Sequence, residues 1–436
     1  MKIRILSICP EQFDSFLHTP LISRSMASGL LDLDIVDIRN YAERSFRKVD
    51  DSPYGGGPGM VMRCQPILDA LNAHRSDQTH TIILTPIGKP FDQEDAHRLS
   101  KEEELILICG HYEGMDARIY KHADELISIG DCILTGGELP AMAVTEAILR
   151  LVDGSMKKES TEEESFETGL LEYPQYTKPA DLNGDKVPEV LLSGNHEAIR
   201  KWRQEQALEL TKQKRPDLIR RNRFLLVEEE LKRYIEEEIL PCYRDYEDGH
   251  GIAHIRKVIQ NSNDLIEDLD VDASMVYCIA AYHDIGIRYG REDHELTSGK
   301  WLQEDRKLDR WFTKEQKQMM KEAIEDHRAS RKEKPRSIYG CIIAEADRDV
   351  DPETVIDRSV SYALNRHPEE SDEESCLRIL QHISEKYGEN GYLRLWMPCR
   401  KNEEGLATIR RWIRNGEIRE RVLRHLRNRK RETVLS

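Results

Sequence analysis

The sequence lacks the marks of several common protein classes. No apolar run approaches the ~20 residues a membrane-spanning helix needs. Met1-Lys2-Ile3-Arg4-Ile5-Leu6 reads as a first strand, with no small-residue cleavage site after it. The expectation is a cytoplasmic chain with no membrane partner. Nine cysteines are scattered with no Cys-x-x-Cys pair, which favours reduced thiols and argues against a zinc ribbon. Neither Gly-x-Gly-x-x-Gly nor Gly-Lys-Ser/Thr occurs, so the usual dinucleotide and phosphate-loop fingerprints are missing. Positive charge is also in deficit: the net charge is -16. Taken globally that opposes a nucleic-acid partner, because phosphate binding rests on Lys and Arg. Distribution matters more than the sum. Arg200, Lys201, Arg203, Lys212, Lys214, Arg215, Arg220, Arg221 and Arg223 crowd one helical segment around Pro216, and a second basic helix runs from Arg410 to Arg431. The plain reading of such a run is a solvated helix face, and it is the one expected for the second cluster.

What is present is organised around Asp50 to Met60, Asp-Asp-Ser-Pro-Tyr-Gly-Gly-Gly-Pro-Gly-Met. Glycine and proline at this density stop both helix and strand, so the stretch is a shaped loop into which a ligand or another backbone can come close. Three apolar runs also end in turns: Thr81–Leu84 before Thr85-Pro86-Ile87-Gly88, Leu105–Cys109 before Gly110–Gly114, and Leu126–Ile129 before Gly130-Asp131. Short apolar runs alternating with helical stretches read as buried parallel strands, which bind ligands beyond their carboxyl ends. At 436 residues the chain has room for two or three domains, and Val190-Leu191-Leu192 reads as strand-like.

Five ordered stretches carry a resemblance: Asp50–Met60, Gly110-His111-Tyr112-Glu113-Gly114-Met115-Asp116, Ser128-Ile129-Gly130-Asp131, Gly136-Gly137-Glu138-Leu139-Pro140-Ala141-Met142 and Leu191-Leu192-Ser193-Gly194-Asn195-His196. Over residues 1 to roughly 230 the chain resembles the bacterial tRNA (guanine-N1)-methyltransferase family, of the SPOUT class. The resemblance implies an α/β fold whose parallel sheet ends in a trefoil knot that binds S-adenosylmethionine, a small helical tRNA-binding domain, and a homodimer through the SPOUT domain. It divides the chain into a SPOUT methyltransferase domain at 1–158, a linker at 159–170 and a helical tRNA-binding domain at 171–232, leaving 233–436. The implied cofactor contacts are Leu84, Pro86 and Gly88; Gly110, Tyr112 and Gly114; Ile129, Gly130, Asp131, Cys132, Ile133 and Leu134; and Gly136, Gly137 and Pro140. In the first basic cluster the resemblance reverses the plain reading, making tRNA the partner.

Methyl transfer to guanine N1 requires loss of the N1 proton and a donor for charge building on O6. The resemblance places the base at Glu164, before Ser165-Phe166, and the cation at Arg150, with Glu113 as a further catalytic residue. Two positions depart from the family pattern. Glu164 stands where the family has aspartate, in a linker one residue shorter, and His111 stands where many members have arginine. The resemblance also brings a magnesium requirement, for which the sequence offers no ligand. A competing reading makes this half a tRNA- and S-adenosylmethionine-binding module with impaired catalysis.

From about Leu231 the pattern becomes purely helical. His250 and His254 stand at i and i+4, which places them on one face of a helix. His283-Asp284 sets an imidazole and a carboxylate inside an apolar segment, a costly burial that a divalent metal resolves. His294, His327 and Asp347 follow. This order resembles the HD superfamily of metal-dependent phosphohydrolases, an all-α fold. By motif, His254, His283, Asp284 and Asp347 hold a first divalent metal, and His294 and His327 bind a second metal or the substrate phosphate. The implied ligand is a small phosphoester or nucleotide, with a nucleotide sensor as the alternative. Glu345, two residues before Asp347, is either a second acid near the site or a solvated helix residue.

Overall fold

The computed structural model describes residues 1–43, 48–157, 161–244, 246, 250–329, 331–367 and 369–435, with side chains up to 429. Glu159 and Ser160 of the expected linker, and Asp248 and Gly249 ahead of His250, lie outside the described residues. The chain divides into two compact units, Met1–Glu172 and Tyr173–Ser436. Among the described residues no helix is long and apolar enough to cross a membrane.

The first unit is built on β1 (Lys2–Ser7), β2 (Asp32–Asp37), the short β3 (Asp50–Asp51) and β4 (Val61–Met62), then β5 (Thr79–Pro90), β6 (Glu104–Cys109) and β7 (Glu125–Ser128). Five of them form one sheet in the order β2-β1-β6-β5-β7, every pair parallel. The pattern of β6 explains its central place, since all six of its residues are buried. Leu105, Leu107 and Cys109 face a core completed by Ala141, Val144 and Ile148 of the Glu138–Leu151 helix. Ile106 and Ile108 face the other way, onto Ile67 and Leu71 of the Cys64–His74 helix. A strand covered on both faces has no polar side to show, which is why it reads as a continuous apolar run.

Residues 85–88, read from the sequence as a turn ending a strand, are instead an irregularity inside β5. The register to β7 jumps between Leu84 and Lys89, and the strand resumes to Pro90. Gly88 is where it resumes: a Cβ there would sit 2.4 Å from the Ile127 backbone nitrogen. The glycine permits the close strand approach, and local composition could not distinguish that from a turn. The Asp50–Met60 stretch is the loop expected, bracketed by antiparallel β3 and β4, with Gly55, Gly56, Gly57 and Gly59 all at positive φ.

The second unit opens with the hairpin β8 (Asp181–Leu182) and β9 (Asp185–Lys186), turned by Asn183 and Gly184 at positive φ. Val190-Leu191-Leu192, read as strand-like, forms part of a one-turn helix, Glu189–Leu192, with Pro188 at its N-cap. Three apolar residues are too few to display a period, and the proline starts a helix there. The His196–Lys214 helix follows, capped by the Asn195 side chain accepting from Ala198 N at 3.2 Å. Arg223 then donates to the carbonyls of Leu269 and Val271, and Phe224 N donates to Asn263 Oδ1.

Beyond residue 250 the unit is helical, with two apolar cores. One gathers residues of the Ile252–Leu265, Ala273–Tyr282, Lys314–Glu325 and Ile338–Asp347 helices around Tyr243 and Tyr282. The other joins Pro352–Arg366, Asp372–Tyr387, Arg400–Asn415 and Glu417–Leu435 around Val360, Ile383 and Val422. The second basic cluster is two helices broken at Gly416, which has positive φ. Its arginines pair with acids of neighbouring segments: Arg414 with Glu389, Arg419 with Glu373, Arg421 with Glu353 and Arg429 with Asp357. That is the charge-balanced, solvated face expected of it.

Leu107 is 0 % exposed at the centre of the sheet. Leu107→Ala should destabilise the first unit by about 2–5 kcal/mol. Urea unfolding followed by proteolysis within residues 1–172 checks it, and an unchanged midpoint would refute this placement of the core.

Candidate functional site

In the first unit a cleft of about 420 Å³ opens at the irregularity in β5 and the ends of β6 and β7. Its walls include Leu84 and Pro86 from the irregularity in β5, Gly110, Tyr112, Glu113 and Gly114 after β6, and Ile129, Gly130, Cys132, Ile133 and Leu134 after β7. Gly136, Gly137 and Pro140, at the start of the Glu138–Leu151 helix, complete it. Of the expected cofactor contacts, Gly88 and Asp131 are not in the wall. Gly88 is used for packing on β7, and Asp131 is exposed. His111 and Thr135 line the cleft without having been expected there.

The geometry depends on backbones that nearly touch. Gly137 N donates to Gly110 O at 2.7 Å, and a Cβ on Gly137 would lie 2.8 Å from Cys109 Cα. Any side chain at that position would push the helix start off the end of β6. The cleft is therefore lined by main-chain donors and acceptors between apolar side chains, suited to a nucleoside with a polar edge. His111 Nδ1 accepts from Tyr112 N at 2.9 Å, which leaves the ring proton on Nε2. Cys9, His111 and Glu138 come together in this region, but an Nε2–H is a donor rather than a metal ligand.

Glu113 braces the glycine loop. Its Oε2 accepts from Met60 N at 2.9 Å, its own N donates to Met60 O at 3.1 Å, and Met62 N donates to Gly114 O at 2.9 Å. A Cβ on Gly59 would fall 1.9 Å from the Glu113 carboxyl carbon, so glycine makes the clamp possible. Arg150 and Glu164 are not among the cleft-lining residues; they bind each other, with Arg150 Nη2 2.5 and 2.7 Å from the two carboxylate oxygens. Both are about one-third exposed, so opening the pair costs only about 0.2–1 kcal/mol. Glu167, three residues on, accepts from Gln93 Nε2 and pairs with His97 Nε2 at 2.8 Å.

In the second unit the six expected metal-site residues converge from five segments. His254 lies in the first turn of the Ile252–Leu265 helix, and His283-Asp284 follow Tyr282 at the end of their helix. His294 opens the His294–Glu304 helix, His327 comes two residues after the Lys314–Glu325 helix, and Asp347 ends the Ile338–Asp347 helix. Asp284 is central. Its Oδ2 is 3.7 Å from His254 Nε2 and 3.5 Å from His283 Nε2, while its Oδ1 is 3.2 Å from His294 Nε2 and 3.5 Å from His327 Nε2. Asp347 Oδ1 lies 3.2 Å from His254 Nε2 and 3.7 Å from His283 Nε2.

The tautomers suit metal ligation. His283, His294 and His327 each turn Nδ1 to a backbone carbonyl, those of Ala280, Arg291 and Ile324. With Nδ1–H held by a carbonyl, loss of the proton from Nε2 would give a lone pair on the ring atom that faces the two aspartates. Nε2 of His254 and of His283 are buried without a hydrogen-bond partner among the described residues. Imidazole nitrogens held beside two carboxylates form a donor set that fits a divalent cation. Burial opposes ionisation of Asp284, yet the His283 ring with hydrogen bonds from His250, His294 and His327 holds its carboxyl well below the usual range. Burial opposes a charge on His327, but the Asp284 carboxylate pulls its pKa up to about 9.

His250 was not in the expected ligand set. The helix begins only at Ile252, so the expected shared helical face does not exist, and His250 instead meets Asp284 Oδ2 through Nδ1 at 2.8 Å from the preceding loop. Its signal was the nearby His254, read with the wrong local geometry. Glu345 is buried, but its oxygens are taken by Arg348, Trp396 N and Asn402, outside the clusters with metal-ligand spacing.

If His327 carries a proton at pH 7 and must lose it to bind a cation, loading the chelator-treated chain with Mn²⁺ should release about one proton. Affinity should rise with pH up to about 9. Calorimetry in buffers of different ionisation enthalpy measures this; a heat independent of buffer would contradict the arrangement.

Comparison with known proteins places both halves. Residues 1–221 match the family model described as tRNA (Guanine-1)-methyltransferase TrmD, and residues 251–349 match the HD domain. A tRNA (guanine-N(1)-)-methyltransferase of Clostridium beijerinckii is 53% identical over 234 residues, covering 53% of this chain and 97% of the relative. One from Clostridium perfringens is 53% identical over 220 residues, 50% of this chain and 93% of the relative. One from Macrococcus caseolyticus is 52% identical over 222 residues, 50% of this chain and 92% of the relative. With the match spanning the sheet, the cleft and the basic helix, the chain belongs to the tRNA (Guanine-1)-methyltransferase TrmD family and carries an HD domain in its second half.

Proposed function

We propose that the first half transfers a methyl group from S-adenosylmethionine to N1 of the guanosine immediately 3′ of the anticodon, position 37 of tRNA. The observation that carries this reading is the cleft at the strand ends, lined by backbone groups that Gly110, Gly136 and Gly137 leave uncovered. When bound, S-adenosylmethionine supplies an electrophilic methyl group. The chain's own residues do the rest. The cleft walls hold the cofactor, and Glu113 keeps the glycine loop in place beside it. Glu164 accepts the N1 proton, and Arg150, released from its pair with Glu164, stabilises charge on O6. A trefoil knot around the cleft, the linker at 159–170 and the tRNA-binding domain at 171–232 belong to the same reading, as does cytoplasmic placement. So does a homodimer, which the exposed Ile87, Ile133 and Leu139 favour. Arg200, Lys201, Lys212 and Lys214 on the His196–Lys214 helix are the candidate phosphate contacts.

Glu164→Gln should keep the fold and lower kcat for transfer of labelled methyl into transcript tRNA by roughly 10²-fold or more. Wild-type turnover in that variant would remove Glu164 as the base. No transfer by the wild-type chain would favour the binding-module reading.

For the second half we infer hydrolysis of a small phosphoester or nucleotide at a divalent-metal centre. The two oxygens of Asp284, turned to separate sets of imidazoles, support it. His254, His283, Asp284 and Asp347 would hold one cation, and His294 and His327 with Asp284 a second. When bound, such cations supply Lewis-acid polarisation of a phosphoryl group. The imidazole-rich donor set suits Mn, Fe, Co, Ni or Zn better than Mg. A chelator should abolish phosphate release from a nucleotide panel, and Asp284→Asn should do the same while sparing methylation in the presence of magnesium. Nucleotide binding without release by the metal-loaded chain would identify a sensor instead.

A further inference from the structure

The imidazole nearest Asp284 belongs to a residue outside the expected ligand set. His250 Nδ1 lies 2.8 Å from Asp284 Oδ2, while Nε2 of His254, His283, His294 and His327 stands 3.2–3.7 Å from one oxygen or the other. The side from which His250 comes fixes what it can serve. Oδ2 is the oxygen turned to His254 and His283, and Oδ1 the one turned to His294 and His327. His250 therefore joins the first set. Its ring meets that of His254 edge-on, with centroids 5.8 Å apart, and the ligand atoms of His250, His254 and Asp284 all lie within 4.8 Å of one another.

Two roles fit an imidazole in that place: a donor that orients the Asp284 carboxylate, or a ligand beside it. An orienting group has to be held by something other than the group it orients. His283, His294 and His327 are held in this way, Nδ1 of each against a backbone carbonyl. His250 is not. It stands two residues ahead of the Ile252–Leu265 helix, and among the described residues its one hydrogen bond goes to Asp284. Its side chain is 33% exposed, against 0% for His283 and 3% for His327, and its Nε2 is not among the buried atoms without a partner. Water can therefore accept from Nε2–H. In that tautomer Nδ1, the atom beside Asp284 Oδ2, carries the lone pair.

The donor count gives this addition its consequence. His254, His283, Asp284 and Asp347 already make four, the number at which a tetrahedral zinc site is closed. A fifth donor exceeds that number and favours a cation that accepts five or six ligands, with a place left for substrate.

We propose that His250 binds the first cation through Nδ1, giving that centre three imidazoles and two carboxylates. The proposal rests on the metal-centre reading of the second half. It assigns a residue that the HD-domain match does not reach, since that match begins at residue 251.

The test is titration of the chelator-treated full-length chain with Co²⁺, read by visible absorption. A His294→Ala background removes a ligand of the second cation, so that the first is read alone. Adding His250→Asn places an amide nitrogen near where Nδ1 stood and keeps a donor for Asp284, so a purely orienting role would survive it. Affinity should instead fall roughly tenfold or more, and the visible band should move to longer wavelength, because oxygen gives a weaker ligand field than imidazole. His250→Ala should do the same, and added imidazole should return its band to that of the background chain. A band unchanged by His250→Asn, whether or not affinity falls, would overturn the proposal and leave the metal centre standing. Failure of the wild-type chain to bind Co²⁺ would overturn the metal-centre reading, and this proposal with it.

Discussion

A carboxylate moved out of water costs several kcal/mol unless charge and hydrogen bonds replace its hydration. Asp284 is 2 % exposed, and the helical unit is arranged around meeting that cost. Five imidazoles reach it, those of His250, His254, His283, His294 and His327. Most of them sit at or beside helix ends, where the chain can turn a side chain inward without breaking a backbone ladder. The carbonyls exposed at such ends then serve a second purpose. By accepting from Nδ1 of His283, His294 and His327, they turn the opposite ring nitrogen toward Asp284.

The same rule about element ends shapes the first unit with different groups. Parallel strands buried on both faces show few polar side chains along their length, so the cleft opens where β6 and β7 stop and where β5 breaks register. There the working groups are main-chain atoms, and what the sequence must supply is the absence of side chains. Gly137 over Cys109 and Gly59 over the Glu113 carboxylate are two demands of this kind. The pair Arg150–Glu164 stands apart from the cleft wall, about one-third exposed and easily opened.

Much of the site was legible before any coordinates. Buried strands announce themselves as apolar runs, and β6 was read correctly from Leu105–Cys109. The histidines and aspartates of the helical half were identifiable because few reasons exist to put His283-Asp284 in an apolar segment. Errors fell where local sequence has two physical meanings. Residues 85–88 contain proline and glycine and look like a turn, yet they interrupt a strand that resumes, and Gly88 serves packing instead of binding. Val190–Leu192 and the spacing of His250 from His254 failed for a related reason: periodicity over three or four residues does not identify the element.

The sequence by itself determined which residue types were available at which order: apolar runs for a covered sheet, glycines where backbones cross, imidazoles and acids in a metal-ligand series. Those follow from local propensity and from the cost of burying charge, both properties of residues in order. Only tertiary structure decided that Asp284 turns one oxygen to each of two imidazole sets and that Arg150 closes on Glu164. These depend on distances between segments tens of residues apart, and such distances are fixed by packing rather than by any local signal.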